Sequence, residues 1–206
     1  MTSIKKKPRD LREACVQEAL EIIGKSGVEG LSLRAVSRRL GVSHQAPYKH
    51  YPTRDHLLAE IVARAYTSFA QHLDSRPRRK NPFDDLQEIG RAYMNYALAN
   101  PLHYRLMFNT ALPDAELHPE MMERARHAFS ILRDAISRLD TADPDTPRPV
   151  DLDALYVWAT VHGLASIMPS SAMKSLPLSK AHLNAIETFA MGRLRSALQS
   201  APPKKQ

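Results

Sequence analysis

Apolar residues in this chain of 206 return every three or four positions, and no stretch sustains the alternation of a half-buried strand. A chain patterned in this way buries its apolar stripes by packing helix on helix, so the expected class is all-α, with about nine helices. A first helix opens at Asp10 or Pro8, carries Leu11, Ala14, Cys15, Ala19, Ile22 and Ile23, and stops at the "GKSG" of Gly24 to Gly27. Ser32 caps a second, with Leu33, Val36 and Leu40, that ends at Gly41. Ser43 caps a third through His50, stopped by Pro52, and Thr53 caps a long fourth with Leu57, Leu58, Ile61, Val62, Ala65, Tyr66, Phe69 and Leu73. The stretch "RPRRKNP", Arg76 to Pro82, reads as a linker because it holds two prolines, four cations and no apolar residue. Five more helices follow: Phe83 to Ala97, Leu102 to Phe108, Pro119 to Leu139, one from Asp151, and one from Leu178 or Ser179 to about Gln199. "DTADPDTPRP", Asp140 to Pro149, is expected to be an exposed loop.

This order predicts an N-terminal three-helix bundle over residues 1–52 and a larger helical regulatory domain over 53–199, connected by the helix from 53 to about 75. Residues 1–8 and 200–206 are expected to be disordered. At 43% hydrophobic the chain can build a core, yet no run approaches the ~18 apolar residues of a membrane span. The basic start, "MTSIKKKPRD", lacks an apolar run of the secretory kind, and the single cysteine, Cys15, agrees with a reducing compartment; the expected location is the cytoplasm.

Charge is concentrated at one end. Residues 1–56 hold eleven Lys or Arg against six acids, five of the net +7, while the remaining 150 residues hold 18 against 16. A polyanionic partner would therefore meet the first quarter of the chain. Within it, "SLRAVSRRL" and "SHQAPYKHY" flank Gly41 and Val42, the sequence form of a helix-turn-helix. Such a motif needs a permissive turn residue, a buried residue after it, and a polar second helix whose first turn faces the major groove. His44 and Gln45 carry donors and acceptors suited to base edges, and Ala46 or Pro47 can touch a thymine methyl. Ser32, Arg34, Ser43, Tyr48, Lys49 and Arg54 have the chemistry of phosphate contacts. His50 and Tyr51 read as structural filling between the third and fourth helices.

The run from Gly41 through "YKHYPTRDHLL" resembles the TetR family of one-component transcriptional regulators, whose wording here is close to "GVS...YxHFxxKxxL". The resemblance covers about residues 9–60 without a gap, with Tyr51 in place of Phe and Arg54 in place of Lys. It implies phosphate contacts from Tyr48, Lys49 and Arg54 and base contacts from His44 to Pro47. "VWATVHGLA", Val157 to Ala165, is similar to the signature of the WHG-type C-terminal domain, carried by Trp158, His162 and Gly163, which implies a helical ligand-binding or dimerisation domain.

Trp158 and His162, four residues apart, share a helix face. That face either lines a cavity for a mid-sized, mostly apolar organic ligand together with Tyr93, Tyr96, His103, Met107, Phe108 and Phe129, or forms a core in which His162 is hydrogen-bonded internally. Leu155, Ala159 and Gly163 on the eighth helix and Leu183, Ile186, Ala190, Leu194 and Ala197 on the ninth are candidates for a homodimeric four-helix interface. A two-fold dimer would read a palindromic operator on double-stranded DNA, and a ligand that prefers the DNA-free state would release it.

Catalysis is not expected. Nine dispersed histidines, a lone cysteine and the lack of an HExxH, GxSxG or Gly-rich phosphate loop exclude the common enzyme motifs, no cofactor is implied, and His44, His50 and His56 at spacings of six do not share a metal-binding face. The expectation is a sequence-specific repressor; the alternatives are a regulator controlled by a protein partner and a sequence-independent DNA-binding protein.

Overall fold

A computed structural model describes residues 10–140 and 147–200. Every regular element among the described residues is helical, as the three-and-four spacing predicts. Among the described residues the nine α-helices are α1 (Leu11–Ser26), α2 (Leu33–Leu40), α3 (Arg54–Asp74), α4 (Pro82–Ala99), α5 (Pro101–Phe108), α6 (Pro119–Ser137), α7 (Val150–Ile167), α8 (Ser171–Ser175) and α9 (Lys180–Gln199). Residues 1–8, the central part of the loop expected after Asp140, and the terminal tail from 201 lie outside the described residues. α8 has no counterpart in the periodicity, because five residues are too few to show a period; its signal is Ser170, whose hydroxyl accepts from the Met173 N–H.

Contacts divide the chain into two compact units. One holds the chain up to Thr67 with Leu102–Ala125, and the other Ser68–Pro101 with the chain from Arg126. In the first, α1 packs on α2 and turns Cys15, Val16, Ala19 and Ile23 inward, each at most 1% exposed, and Val36, Leu57 and Val62 are fully buried as well. Full burial of a Val, Ile or Leu side chain contributes roughly 1.5–3 kcal/mol. α5 joins this unit through two polar contacts: the Tyr66 hydroxyl donates to Met107 O at 2.9 Å, and Arg105 Nη2 donates to Ile23 O at 3.3 Å. Burial pushes the Tyr66 phenol up to about 12, so it remains a donor at any working pH.

In the second unit α4 packs on α7 and α9. α7 buries its small residues, Ala154, Val157, Val161 and Ala165, and α9 buries Met191, Leu194 and Leu198. Gly90 permits the approach: a Cβ there would lie 2.8 Å from Met191 Sδ and 3.7 Å from Val161 Cγ2. Leu194 was expected at a dimer interface, but at 3% exposure it belongs to this core, since α9 turns its 191–194–198 edge inward.

The segment expected to be a plain linker is anchored. Arg76 is 6% exposed and Asp85 fully buried; Arg76 Nη2 donates to Asp85 Oδ2 at 3.0 Å and Nη1 to Leu73 O at 2.8 Å. The Arg79 N–H donates to Asp85 Oδ1 at 3.1 Å, and Arg138, just past the end of α6, adds a contact to Oδ2 at 2.5 Å. A cation among prolines looks solvated in sequence; a carboxylate nine positions on, inside the next helix, brings it indoors. Burial by itself would raise the Asp85 carboxyl, but Arg138, the Arg79 amide and Arg76 together hold it below the ordinary value.

Asp85→Asn leaves the Arg76 guanidinium buried without a counter-charge and should cost about 3 kcal/mol in urea unfolding. The folded-state value is depressed, so the pair's contribution is complete above the unfolded-state pKa near ~3.9 and is lost as pH falls through the lower folded value. Stability of the parent protein should therefore drop on acidification below about pH 4, with a shallower drop in the variant.

Candidate nucleic-acid interface

The reading turn is built by caps. Ser32 Oγ accepts from the Ala35 N–H at 3.1 Å and starts α2. α2 buries Leu33, Val36 and Ser37, which leaves Arg34 and Arg38, four residues apart, exposed on its outer side. Gly41 ends the helix in the left-handed region at φ 68°, ψ 31°, and the Val42 N–H closes back on Ser37 O at 3.1 Å. A side chain at Gly41 would meet open space, so glycine is required here by backbone conformation alone.

The element after the turn is shorter than the helix expected from Ser43 to His50. The chain makes i+3 turns, Ala46 N to Ser43 O at 2.9 Å and His50 N to Pro47 O at 3.0 Å, around a 3₁₀ turn at Pro47–Lys49. Pro47 has no N–H to bond Ser43 O, which removes the bond that would make the first turn α-helical. Ser43 Oγ accepts instead from the Gln45 N–H at 3.3 Å.

His44, Gln45, Tyr48 and Lys49 point to solvent, Tyr48 at 42% exposure, and Ala46 is half-buried. Pro47 is buried and lies behind this surface, so its expected contact with a base is withdrawn. Ser32, Ser43 and Arg34 are exposed as expected of phosphate contacts. Arg54 is differently placed: Nε donates to Leu31 O at 3.0 Å, Nη2 to Val28 O at 2.8 Å and Nη1 to Asp55 Oδ1 at 3.0 Å. It fastens the loop before α2 to the start of α3 with three of its five N–H donors. Tyr51 is 3% exposed with its hydroxyl on Arg12 O at 3.4 Å, whereas His50, expected to fill space beside it, is exposed.

From Leu31 to Arg54 the sequence contains no carboxylate. Arg39 pairs with Glu18 of α1, while Arg34, Arg38 and Lys49 take part in no ion pair among the described residues. Sequence reasoning passed over Arg38, although its spacing from Arg34 places both on one face of α2. Residues 31–54 thus carry basic side chains and no carboxylate of their own beside two residues, His44 and Gln45, able to donate and accept.

The residues expected to line a ligand pocket are not assembled in one unit. Tyr93, Tyr96, Phe129, Trp158 and His162 belong to the second compact unit, and His103, Met107 and Phe108, on α5, to the first. Tyr96 is a core residue at 2% exposure, its ring 5.1 Å from Phe69. Trp158, His162 and Phe129 are half-buried. Trp158 Nε1 donates to the Tyr93 hydroxyl at 3.3 Å, which stands 2.9 Å from His162 Nδ1. The indole donates to the phenol oxygen, and burial lowers the His162 pKa, which favours the neutral ring.

A capped helix, a left-handed glycine turn and a short solvent-facing polar element define a helix-turn-helix protein of the regulatory class. Residues 16–61 match the family model described as bacterial regulatory proteins, tetR family, and residues 86–186 that of the tetracyclin repressor-like C-terminal domain. The chain belongs to the tetR family. It is 32% identical over 122 residues to the HTH-type transcriptional regulator Rv1816 of Mycobacterium tuberculosis, a match covering 55% of this chain and 52% of that protein. It is 30% identical over 84 residues to the HTH-type transcriptional repressor KstR of Rhodococcus jostii, covering 39% and 38%. The chain thus spans about half the length, or less, of these curated relatives. A solved structure from Rhodococcus sp. RHA1 shares the fold, with a TM-score of 0.75 at 23% identity over 95% of this chain and 100% of that one.

Arg54→Ala strands two carbonyls that now accept from its guanidinium. Loss of these charge-assisted bonds should lower unfolding free energy by about 1–3 kcal/mol in denaturant titration; an unchanged midpoint would show that the clamp contributes nothing.

Proposed function

We propose that the chain is a sequence-specific transcriptional repressor that binds a palindromic operator as a homodimer and is released by a small, mostly apolar organic ligand. The observation that carries the reading is the carboxylate-free run of residues 31–54, with His44 and Gln45 exposed within it on a turn held by Gly41. His44, Gln45 and Ala46 are assigned to base edges, and Ser32, Arg34, Ser43, Tyr48 and Lys49 to phosphates, with Arg38 added to that group. Residues 1–52 serve as the DNA-binding part, 53–199 as the regulatory part, and the chain acts in the cytoplasm, where an operator is found.

Dimerisation is supported by an apolar stripe on α7. Leu155 and Tyr156 are each 47% exposed, Ala159 is exposed, and a side chain at Gly163 would meet open space. α9 offers Phe189 at 61% exposure beside exposed Ala197 and half-buried Leu183, Ile186 and Ala190. Exposed apolar surface clustered on two neighbouring helices is the mark of an interface, and Phe189 takes the place expected of Leu194. The ligand is assigned to the half-buried face of Trp158, His162 and Phe129, where Phe129 offers apolar area and Trp158 and His162 add ring nitrogens. Trp158, His162 and Gly163 are also where the WHG-type resemblance rests.

Lys49→Ala should weaken binding to every duplex and lower the slope of log K against log salt by about one. Gln45→Ala should instead change the sequence preference measured over a panel of duplexes; an equal loss on all of them would remove Gln45 from the readers. Ala159→Arg, at an exposed position, should yield a folded monomer in analytical ultracentrifugation, and a dimer of unchanged affinity would place the interface elsewhere.

A further inference from the structure

The compact unit that carries the helix-turn-helix also contains an open groove of about 320 Å³, walled by α1, the residues after the reading turn, α3 and the start of α6. His118 lines it at 9% exposure. Its ring meets His56 edge-on, centroids 4.8 Å apart, and among the described residues its nitrogens make no hydrogen bond. An imidazole whose residue is nine-tenths buried, but which lines an open groove and has no protein partner there, offers its ring nitrogens to whatever occupies the groove.

The next donors come from α6, a 19-residue helix opening at Pro119. The Met122 N–H reaches His118 O at 3.4 Å, but the N–H groups of Glu120 and Met121, both on the groove wall, have no acceptor among the described residues. His56 brings a second imidazole, held by Thr53: its backbone N–H gives to Thr53 Oγ1 at 3.3 Å, and its Nδ1 lies 2.8 Å from the same hydroxyl. Two carboxylates also line the groove. Glu60 is neutralised on both oxygens, by Arg12 at 3.0 Å and Arg64 at 2.8 Å, and Glu120 is exposed at the rim. Arg12, His50 and Tyr51 also line the groove, and Ala59, Ala63 and Leu117 give it an apolar stretch of wall.

We propose that this groove binds a small organic carboxylate with a short apolar body. The carboxylate sits at the start of α6 between His118 and His56, where the free amides and the helix dipole favour negative charge, and the body lies against Ala59, Ala63 and Leu117. Such a ligand would bind within the unit that reads DNA, apart from the aromatic face of the second unit. Any effect on operator affinity rests on the repressor reading above; the binding itself does not, so it is tested with no DNA present.

The probe is sodium butyrate, titrated into labelled protein at constant ionic strength and followed in ¹H–¹⁵N spectra. Saturable shifts of the Glu120 and Met121 amides and of the His118 and His56 ring signals are expected, with inorganic phosphate binding more weakly because it leaves the apolar wall uncovered. His118→Ala should weaken butyrate at least tenfold and Glu120→Gln should tighten it. Leu117 is 71% exposed, so Leu117→Glu keeps the fold whatever the His118 variant does, and its added charge should also weaken binding severalfold. Shifts that grow linearly and match those of chloride, stronger binding of phosphate than of butyrate, or saturable binding indifferent to Leu117→Glu would each overturn the proposal. Loss of operator binding in a separate assay would leave these shifts unchanged and count only against the repressor reading.

Discussion

A left-handed backbone at a single residue, Gly41, decides where the DNA-facing surface lies. With φ at 68° the chain leaves α2, turns its last free amides back onto that helix, and delivers residues 43–49 to the outside of a core built on Val36 and α1. A β-carbon there would meet no neighbour, yet it would oppose the conformation itself at roughly 1 kcal/mol or more. Everything assigned to DNA depends on that bend. The same turn keeps Pro47 inward as a wedge while His44 and Gln45 face out.

Polar anchors fix what surrounds it. Arg54 fastens the loop before α2, and Tyr51 closes over α1. Glu13, Glu60, Arg12 and Arg64 lace α1 to α3 across the surface, where each pair contributes little and the network serves alignment more than stability. In the second unit Asp85 does the opposite: buried, with three partners, it adds to stability only while all remain in place. One device tolerates change at the surface, and the other holds a segment that its composition would have left loose.

Local physics was legible in the sequence. Asp10, Ser32, Thr53 and Ser179 each accept from an amide three residues on, where capping chemistry predicts, and the all-helical class follows from spacing alone. The misplaced residues were those whose surroundings come from distant parts of the chain. Arg54 reads as a free cation until Val28 and Leu31 are folded beside it, Arg76 as a solvated one until Asp85 arrives, and Leu194 as one more apolar residue on a helix with two candidate faces. Pro47 was legible in principle: its missing N–H already argues against an α-helical first turn. The division of the expected pocket residues between two compact units had no sequence signal, because periodicity gives a residue's helix face and not its neighbours.

The central claim is that this surface reads sequence as a symmetric pair. Selection of bound duplexes from a random DNA pool at ~150 mM salt, where purely electrostatic association is already weak, tests it most directly. The account predicts recovery of an inverted repeat, whose half-sites are spaced by the separation of two reading turns. Retention of DNA with no common motif, or of a single unrepeated site, would contradict it.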